Sequence, residues 1–92
     1  MKKQTDPDVV LMLAAAEPTR LSILRELTAA DGPINACDFS ACSEVSQPTF
    51  SHHLKVLKEA GWLRCERVGN GLEYDLRPEA RARFKELAEQ LT

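Results

Sequence analysis

The sequence predicts a mainly α-helical fold closed by one small β-hairpin, with elements in the order α-α-α-α-β-β-α. Three observations carry this. Apolar residues recur at helical spacing in three separate stretches. The segment Ser46 to Gly61 holds a helix start, a helix stop, one apolar face and one small polar, cationic face. Soon after it comes Arg67-Val68-Gly69-Asn70-Gly71-Leu72-Glu73-Tyr74, a hairpin signal.

The elements follow in order. Asp6-Pro7 opens the first helix: aspartate suits the N-cap, and proline suits the first helical position because its missing N–H has no partner there anyway. Val9-Val10-Leu11-Met12-Leu13-Ala14-Ala15-Ala16 continues it. A helix apolar all round is covered on more than one side, and in a small domain a second subunit is a natural cover. Glu17-Pro18-Thr19 breaks that helix and starts the next, whose buried face is Leu21, Ile23, Leu24, Leu27 and Ala30. Gly32-Pro33 is expected to stop it. Ile34 reads as a lone apolar residue suited to a short edge strand. A short third helix is expected from about Asp38 to Ser43, capped by Asp38, with Glu44-Val45 as the turn.

Ser46 then caps the fourth helix, and Pro48 lies in its first turn. Phe50, Leu54 and Leu57 form the inner face, flanked by His53 and Ala60. Ser51, His52 and Lys55 project the other way, and Gln47 and Thr49 sit in the exposed first turn. Leu63 to Val68 and Leu72 to Leu76 read as strands, joined at Gly69-Asn70-Gly71, where a tight turn needs residues that tolerate positive φ. Arg77-Pro78-Glu79 starts a last helix with the stripe Ala80, Phe84, Leu87 and Leu91. A groove-reading helix followed directly by a hairpin is the layout of a winged helix-turn-helix.

The 92 residues predict a single domain, 1–92. Apolar content of 43 % with 28 % charged residues fits a globular chain rather than a disordered one. The longest apolar run, Val9 to Ala16, is too short to cross a bilayer, and its flanks do not suit a signal peptide. Three cysteines without framework spacing favour a reducing compartment, so a cytoplasmic location with no membrane contact is expected. Net charge is −2, yet the segment from Ser46 to Val68 is +2, leaving −4 for the remainder. Positive charge thus gathers where a groove-reading unit would lie. No motif pairs carboxylates in a pocket and no glycine loop cradles phosphate, so an enzyme is not expected.

The residue types of the fourth helix suit double-stranded DNA. Its N-terminus, capped by Ser46, offers N–H groups to phosphate. Gln47 matches adenine bidentately, while Thr49 and Ser51 donate or accept. His52 and Lys55 suit phosphate or a guanine edge, and Arg64, Arg67 and Asn70 suit the backbone or minor groove. His53, beside Phe50 and Leu54, reads instead as a packed, hydrogen-bonded histidine.

Three phrases resemble a known family. Glu17-Pro18-Thr19-Arg20-Leu21-Ser22-Ile23-Leu24 is similar to its second-helix signature. Ser46-Gln47-Pro48-Thr49-Phe50-Ser51-His52-His53-Leu54-Lys55-Val56-Leu57 is similar to its recognition helix, and Gly69-Asn70-Gly71-Leu72-Glu73-Tyr74-Asp75-Leu76 to its wing. The family is the arsenic-repressor (ArsR-like) type of bacterial winged-helix regulators, and the resemblance covers roughly residues 8 to 91. It implies a homodimeric repressor that leaves its inverted-repeat operator when an inducer binds. It also implies pairing through the first and last helices, about 7–16 and 78–91, which assigns Val9, Leu13, Phe84, Leu87 and Leu91 to the interface. The family's metal sites match poorly. Arsenic-sensing members carry Cys-x-Cys-Asp-Leu where this chain has Asn35-Ala36-Cys37-Asp38-Phe39, and the histidines of zinc-sensing members are missing from Glu79 to Gln90.

No cofactor is required by these motifs. Cys37 and Cys42 are the candidate site for a thiophilic metal or metalloid effector, or for a redox disulfide. On one regular helix they would point about 140° apart, so they converge only if Cys37 precedes the helix. The plainer reading makes Cys42 and Cys65 small buried apolar residues. Two further readings stand beside the inducible repressor: one with no small-molecule inducer, and a winged-helix module that binds a protein partner without DNA.

Overall fold

The computed structural model describes residues 6–92, so the first five residues of the expected 1–92 domain lie outside the described residues. Four α-helices and a three-stranded antiparallel sheet make up the fold: α1 (Pro7–Ala15), α2 (Pro18–Ala30), β1 (Ile34–Asn35), α3 (Gln47–Glu59), β2 (Leu63–Val68), β3 (Gly71–Leu76) and α4 (Pro78–Gln90). The strand order is β1-β3-β2. Among the described residues no helix is long and apolar enough to cross a membrane.

The helix starts follow the local chemistry. Asp6 accepts the Asp8 N–H at 2.9 Å, Glu17 accepts the Arg20 N–H at 2.8 Å, and Ser46 accepts the Thr49 N–H at 3.3 Å. Each satisfies an N–H that has no partner inside the helix. Gly61, at φ +97°, ends α3 as expected. The stop of α2 differs: Asp31 rather than Gly32 takes the left-handed conformation, at φ 55°. Aspartate is among the few residues that tolerate it.

The expected third helix from Asp38 to Ser43 is absent. In its place are two 3-10 turns, Ala36–Asp38 and Ser40–Ser43, with Phe39 extended between them. Phe39 is 2 % exposed and its ring packs on Phe50 of α3, 6.1 Å between centroids. Burying that ring requires extended backbone where a helix would run. Asp38 is not a cap; Asn35 caps the first turn by accepting the Cys37 N–H, and Glu26 of α2 accepts the Ser40 N–H of the second.

The core joins α1, α2, the second 3-10 turn, α3 and the sheet through Leu11, Ile23, Leu27, Ala41, Phe50, Leu57 and Leu63. Ile23, Leu24 and Leu27 of α2 are buried, while Leu21 and Ala30, expected on the same face, are exposed. They lie at the edges of the stripe, where the core no longer covers them. Trp62 donates its Nε1–H to the Leu11 carbonyl at 2.8 Å, tying α1 to the junction of α3 and β2. Tyr74 on β3 is buried beside Cys65. Burial, then the contact with that thiol, pushes its hydroxyl up to about 12.

Candidate nucleic-acid interface

α3 is pinned from behind and bare in front. Phe50, His53, Leu54 and Leu57 are buried, while Gln47, Thr49, Ser51, His52 and Lys55 are all exposed. The period of 3.6 residues separates the two sets. Ser46 Oγ accepts the Thr49 N–H and donates its own hydrogen to Thr49 Oγ1 at 2.8 Å. Thr49 therefore keeps its hydroxyl hydrogen for an outside acceptor. The remaining N–H groups of the first turn face the same way, with the positive end of the helix dipole behind them.

His53 is 9 % exposed and hydrogen-bonded, as its place beside the apolar face predicts. Its partner was not legible. Arg20 of α2 bonds His53 Nδ1 at 3.1 Å and donates its Nε–H to the Ala14 carbonyl at 2.7 Å. A guanidinium only donates, so His53 Nδ1 accepts and the ring proton sits on Nε2. Glu17 Oε1 lies 3.8 Å from the same nitrogen, and its hydrogen bond goes to the Arg20 N–H. One side chain thus joins the end of α1, the start of α2 and the back of α3. The only hint in the sequence was a lone cation at the apolar start of α2.

The wing is a two-residue hairpin. Val68 pairs with Gly71, and Gly69 at φ +60° carries the turn together with Asn70. A side chain on Gly71 would come within 2.7 Å of the Asn35 side-chain amide, so that amide lies close against the turn end of the wing. The wing's cations differ. Arg64, at the root, is paired with Asp75 across the ladder at 3.3 Å. Arg67, near the tip, is exposed and in no ion pair among the described residues. Glu66 stands directly opposite Glu73, a like-charge pair that weakens the ladder and makes that face acidic.

A family model described as Helix-turn-helix domain matches residues 15–66, more than half of the chain and the whole of α2 through α3. The biofilm growth-associated repressor of Agrobacterium fabrum is 31 % identical over 86 residues, covering 94 % of this chain and 72 % of that protein. The chain belongs to the ArsR-like family of winged helix-turn-helix regulators. An arsenic resistance transcriptional regulator of Pseudomonas putida is 37 % identical over 75 residues, 82 % of this chain. The chain spans only 56 % of that relative's length. Among solved structures, the homodimeric winged helix-turn-helix DNA-binding domain of a Mycobacterium bovis protein superimposes with a TM-score of 0.72 at 26 % identity. That match covers 99 % of this chain and 89 % of the other. These relatives and neighbours are transcriptional regulators, not enzymes.

In this ArsR-like chain Cys37 and Cys42 lie just before α3. Cys37 is exposed in the first 3-10 turn, and Cys42 is half-buried in the second, on the far side of Phe39. They share no regular helix. No cluster of three or more metal-binding side chains occurs among the described residues. Cys42 and Cys65 pack against the core but are only half-buried.

The residues expected at a dimer interface divide into two groups. Val9 and Leu13 of α1 and Leu87 and Leu91 of α4 line one shallow apolar face. Leu13 is 62 % exposed and Leu91 74 %. Phe84 lies on the other flank of α4, its ring tilted at 55° against Trp62 with 5.4 Å between centroids. Asp8 and Arg83 clasp α1 to α4 through two hydrogen bonds, at 2.9 and 2.7 Å. The Arg83 hydrogen bond holds the Asp8 carboxyl below the usual carboxylate range.

Proposed function

We propose that this chain is a homodimeric transcriptional repressor that reads double-stranded DNA through α3 and steadies it with the wing. The observation that carries this is the exposed polar row of α3, held from behind by four buried residues. Gln47, Thr49 and Ser51 are the base readers in this reading. Ser46, His52, Lys55, Arg67 and Asn70 hold phosphates or the minor groove, and Arg64, already engaged by Asp75, adds least. Two copies joined through Val9, Leu13, Leu87 and Leu91 would read an inverted repeat, its half-sites about one helical turn apart. Phe84 contributes from the rim of that contact.

A salt-dependent binding titration on operator and random duplex tests the reading. Lys55→Ala or Arg67→Ala weakens binding to all sequences alike and lowers the salt slope by about one per phosphate contact. Gln47→Ala relaxes preference at one base position, at about 1–3 kcal/mol. Equal losses on operator and random DNA overturn the Gln47 assignment. No binding above random duplex at low salt overturns the repressor and favours a protein-binding module, which the acidic outer wing face would suit.

A second reading concerns release. Cys37 and Cys42 flank Phe39, whose ring touches α3, so a thiophilic metalloid or oxidant acting there has a short path to the recognition helix. Arsenite or a thiol oxidant that releases DNA from the wild type but not from Cys37→Ser supports it. Release by neither leaves a repressor without that inducer.

A further inference from the structure

Besides the apolar face formed by α1 and α4, α4 borders a second depression, between itself and α2. It is about 590 Å³ in volume, within the range of sites for small organic ligands. Leu21, Trp62 and Phe84 form its apolar wall. Leu21 and Phe84 are 36 % and 37 % exposed, so the wall is open to a ligand. Arg25, Arg81 and Lys85 stand on its walls, and no acidic side chain lines it. Among the described residues none of these three cations is in an ion pair. Three other cations are paired, Arg64 with Asp75, Arg77 with Glu79 and Arg83 with Asp8, whereas Lys55, Lys58 and Arg67 on the side assigned to DNA are not, among the described residues.

We propose that the groove between α2 and α4 binds an organic anion with an apolar body, of the aliphatic carboxylate class. The apolar wall takes the chain, and Arg81 and Lys85, one turn apart on α4, take the carboxylate with Arg25 opposite. Charge complementarity selects this occupant. A second copy of the same groove would bring six unpaired cations together, which a two-fold contact cannot relieve. A neutral ligand would leave the three cations without partners. Because Trp62 Nε1 is already bound to the Leu11 carbonyl, the indole offers the ligand its ring and no donor. The site touches none of the residues assigned to DNA, so it stands or falls separately from that reading.

Trp62 is the chain's single tryptophan, so its fluorescence reports on the groove directly. Decanoate, titrated below its micelle concentration without DNA, is expected to give a saturable change. Decanol of equal chain length binds about tenfold more weakly, and decyltrimethylammonium more weakly still. The double variant Arg81→Gln, Lys85→Gln loses that preference for decanoate over decanol. Leu21→Glu, at an exposed position, abolishes the signal while the circular dichroism stays unchanged. Decanol binding as tightly as decanoate overturns the proposal, as does an unaltered preference in the double variant. A fall to monomer in Leu21→Glu, with no saturable decanoate signal in the wild type, would make a second copy the occupant and overturn it too.

Discussion

α3 and α4 are each 13 residues long and each carry a proline in the first turn, yet their apolar residues are distributed differently. α3 buries Phe50, His53, Leu54 and Leu57 and turns polar groups outward. α4 buries only Ala80, and Phe84 and Leu91 face solvent. A helix whose apolar face is satisfied by its own chain is oriented before any partner arrives. A helix whose apolar face is bare has its surface completed by something else. In the proposed reading, the first kind meets DNA as a rigid reader, and the second meets another subunit and a ligand. The division suits a regulator, because a preset reader loses less conformational freedom on binding.

The sharpest way to break this contrast is to truncate one residue on each helix. Leu57→Ala, at a position with no exposure, is expected to cost about 2–5 kcal/mol in urea unfolding, through lost transfer and a cavity. Leu91→Ala, 74 % exposed in the single chain, stays within about 0.5 kcal/mol when both are compared as monomers at concentrations below self-association. Comparable losses at the two would mean that α4 is as fully packed by its own chain as α3. Next in size is Arg20→Ala, which removes two hydrogen bonds and leaves buried His53 Nδ1 without a donor. An unfolding cost of about 1–3 kcal/mol follows. Weaker operator binding by the folded variant is also expected, because α3 loses its tie to α1. Full operator affinity in a destabilised variant would confine Arg20 to stability.

α3 was legible in the sequence because its information is local. The Ser46 cap, the apolar spacing and the Gly61 stop lie within one window, and the polar face is whatever that spacing leaves over. Gly69 and Asn70 marked the wing for the same reason. What was not legible depends on distant partners. Phe39 straightens the chain where a helix was expected because Phe50 waits for its ring. Arg20 meets His53 across 33 positions. Ile34 forms the short edge strand that the sequence suggested, but its partner, Tyr74 on β3, was not legible because it lies far along the chain. The stripe of α4 has a further ambiguity. Phe84, Leu87 and Leu91 share a periodicity, but only the position of Trp62 sends Phe84 to a different flank from the other two.

The bare face of α4 predicts a third effect. Leu13→Lys, at a position 62 % exposed, should leave the unfolding of the isolated chain nearly unchanged. It should raise the dimer dissociation constant by at least about tenfold, since a leucine from each copy leaves the contact. Sedimentation against concentration reads this directly. Unchanged self-association would remove α1 from the interface and leave the exposed leucines without the role proposed for them.

The smallest effect separates the two helices by how they are fastened. α3 is held by buried apolar contacts and the Arg20 bond, whereas α4 is clasped to α1 in part by the half-buried Asp8–Arg83 pair. Because Arg83 lowers the Asp8 pKa, the clasp contributes fully above the ordinary carboxylate range and fades as pH falls toward the lowered value. Hydrogen exchange, corrected for its intrinsic pH dependence and compared between neutral pH and a pH below the ordinary carboxylate value, should show α4 amides losing protection in acid while α3 amides keep theirs. Asp8→Asn should give the acid pattern at both pH values, since its amide pairs with Arg83 without a charge. If α3 and α4 lose protection together, the clasp is part of one cooperative unit. The difference between the helices would then lie in their surfaces alone and not in how firmly each is held.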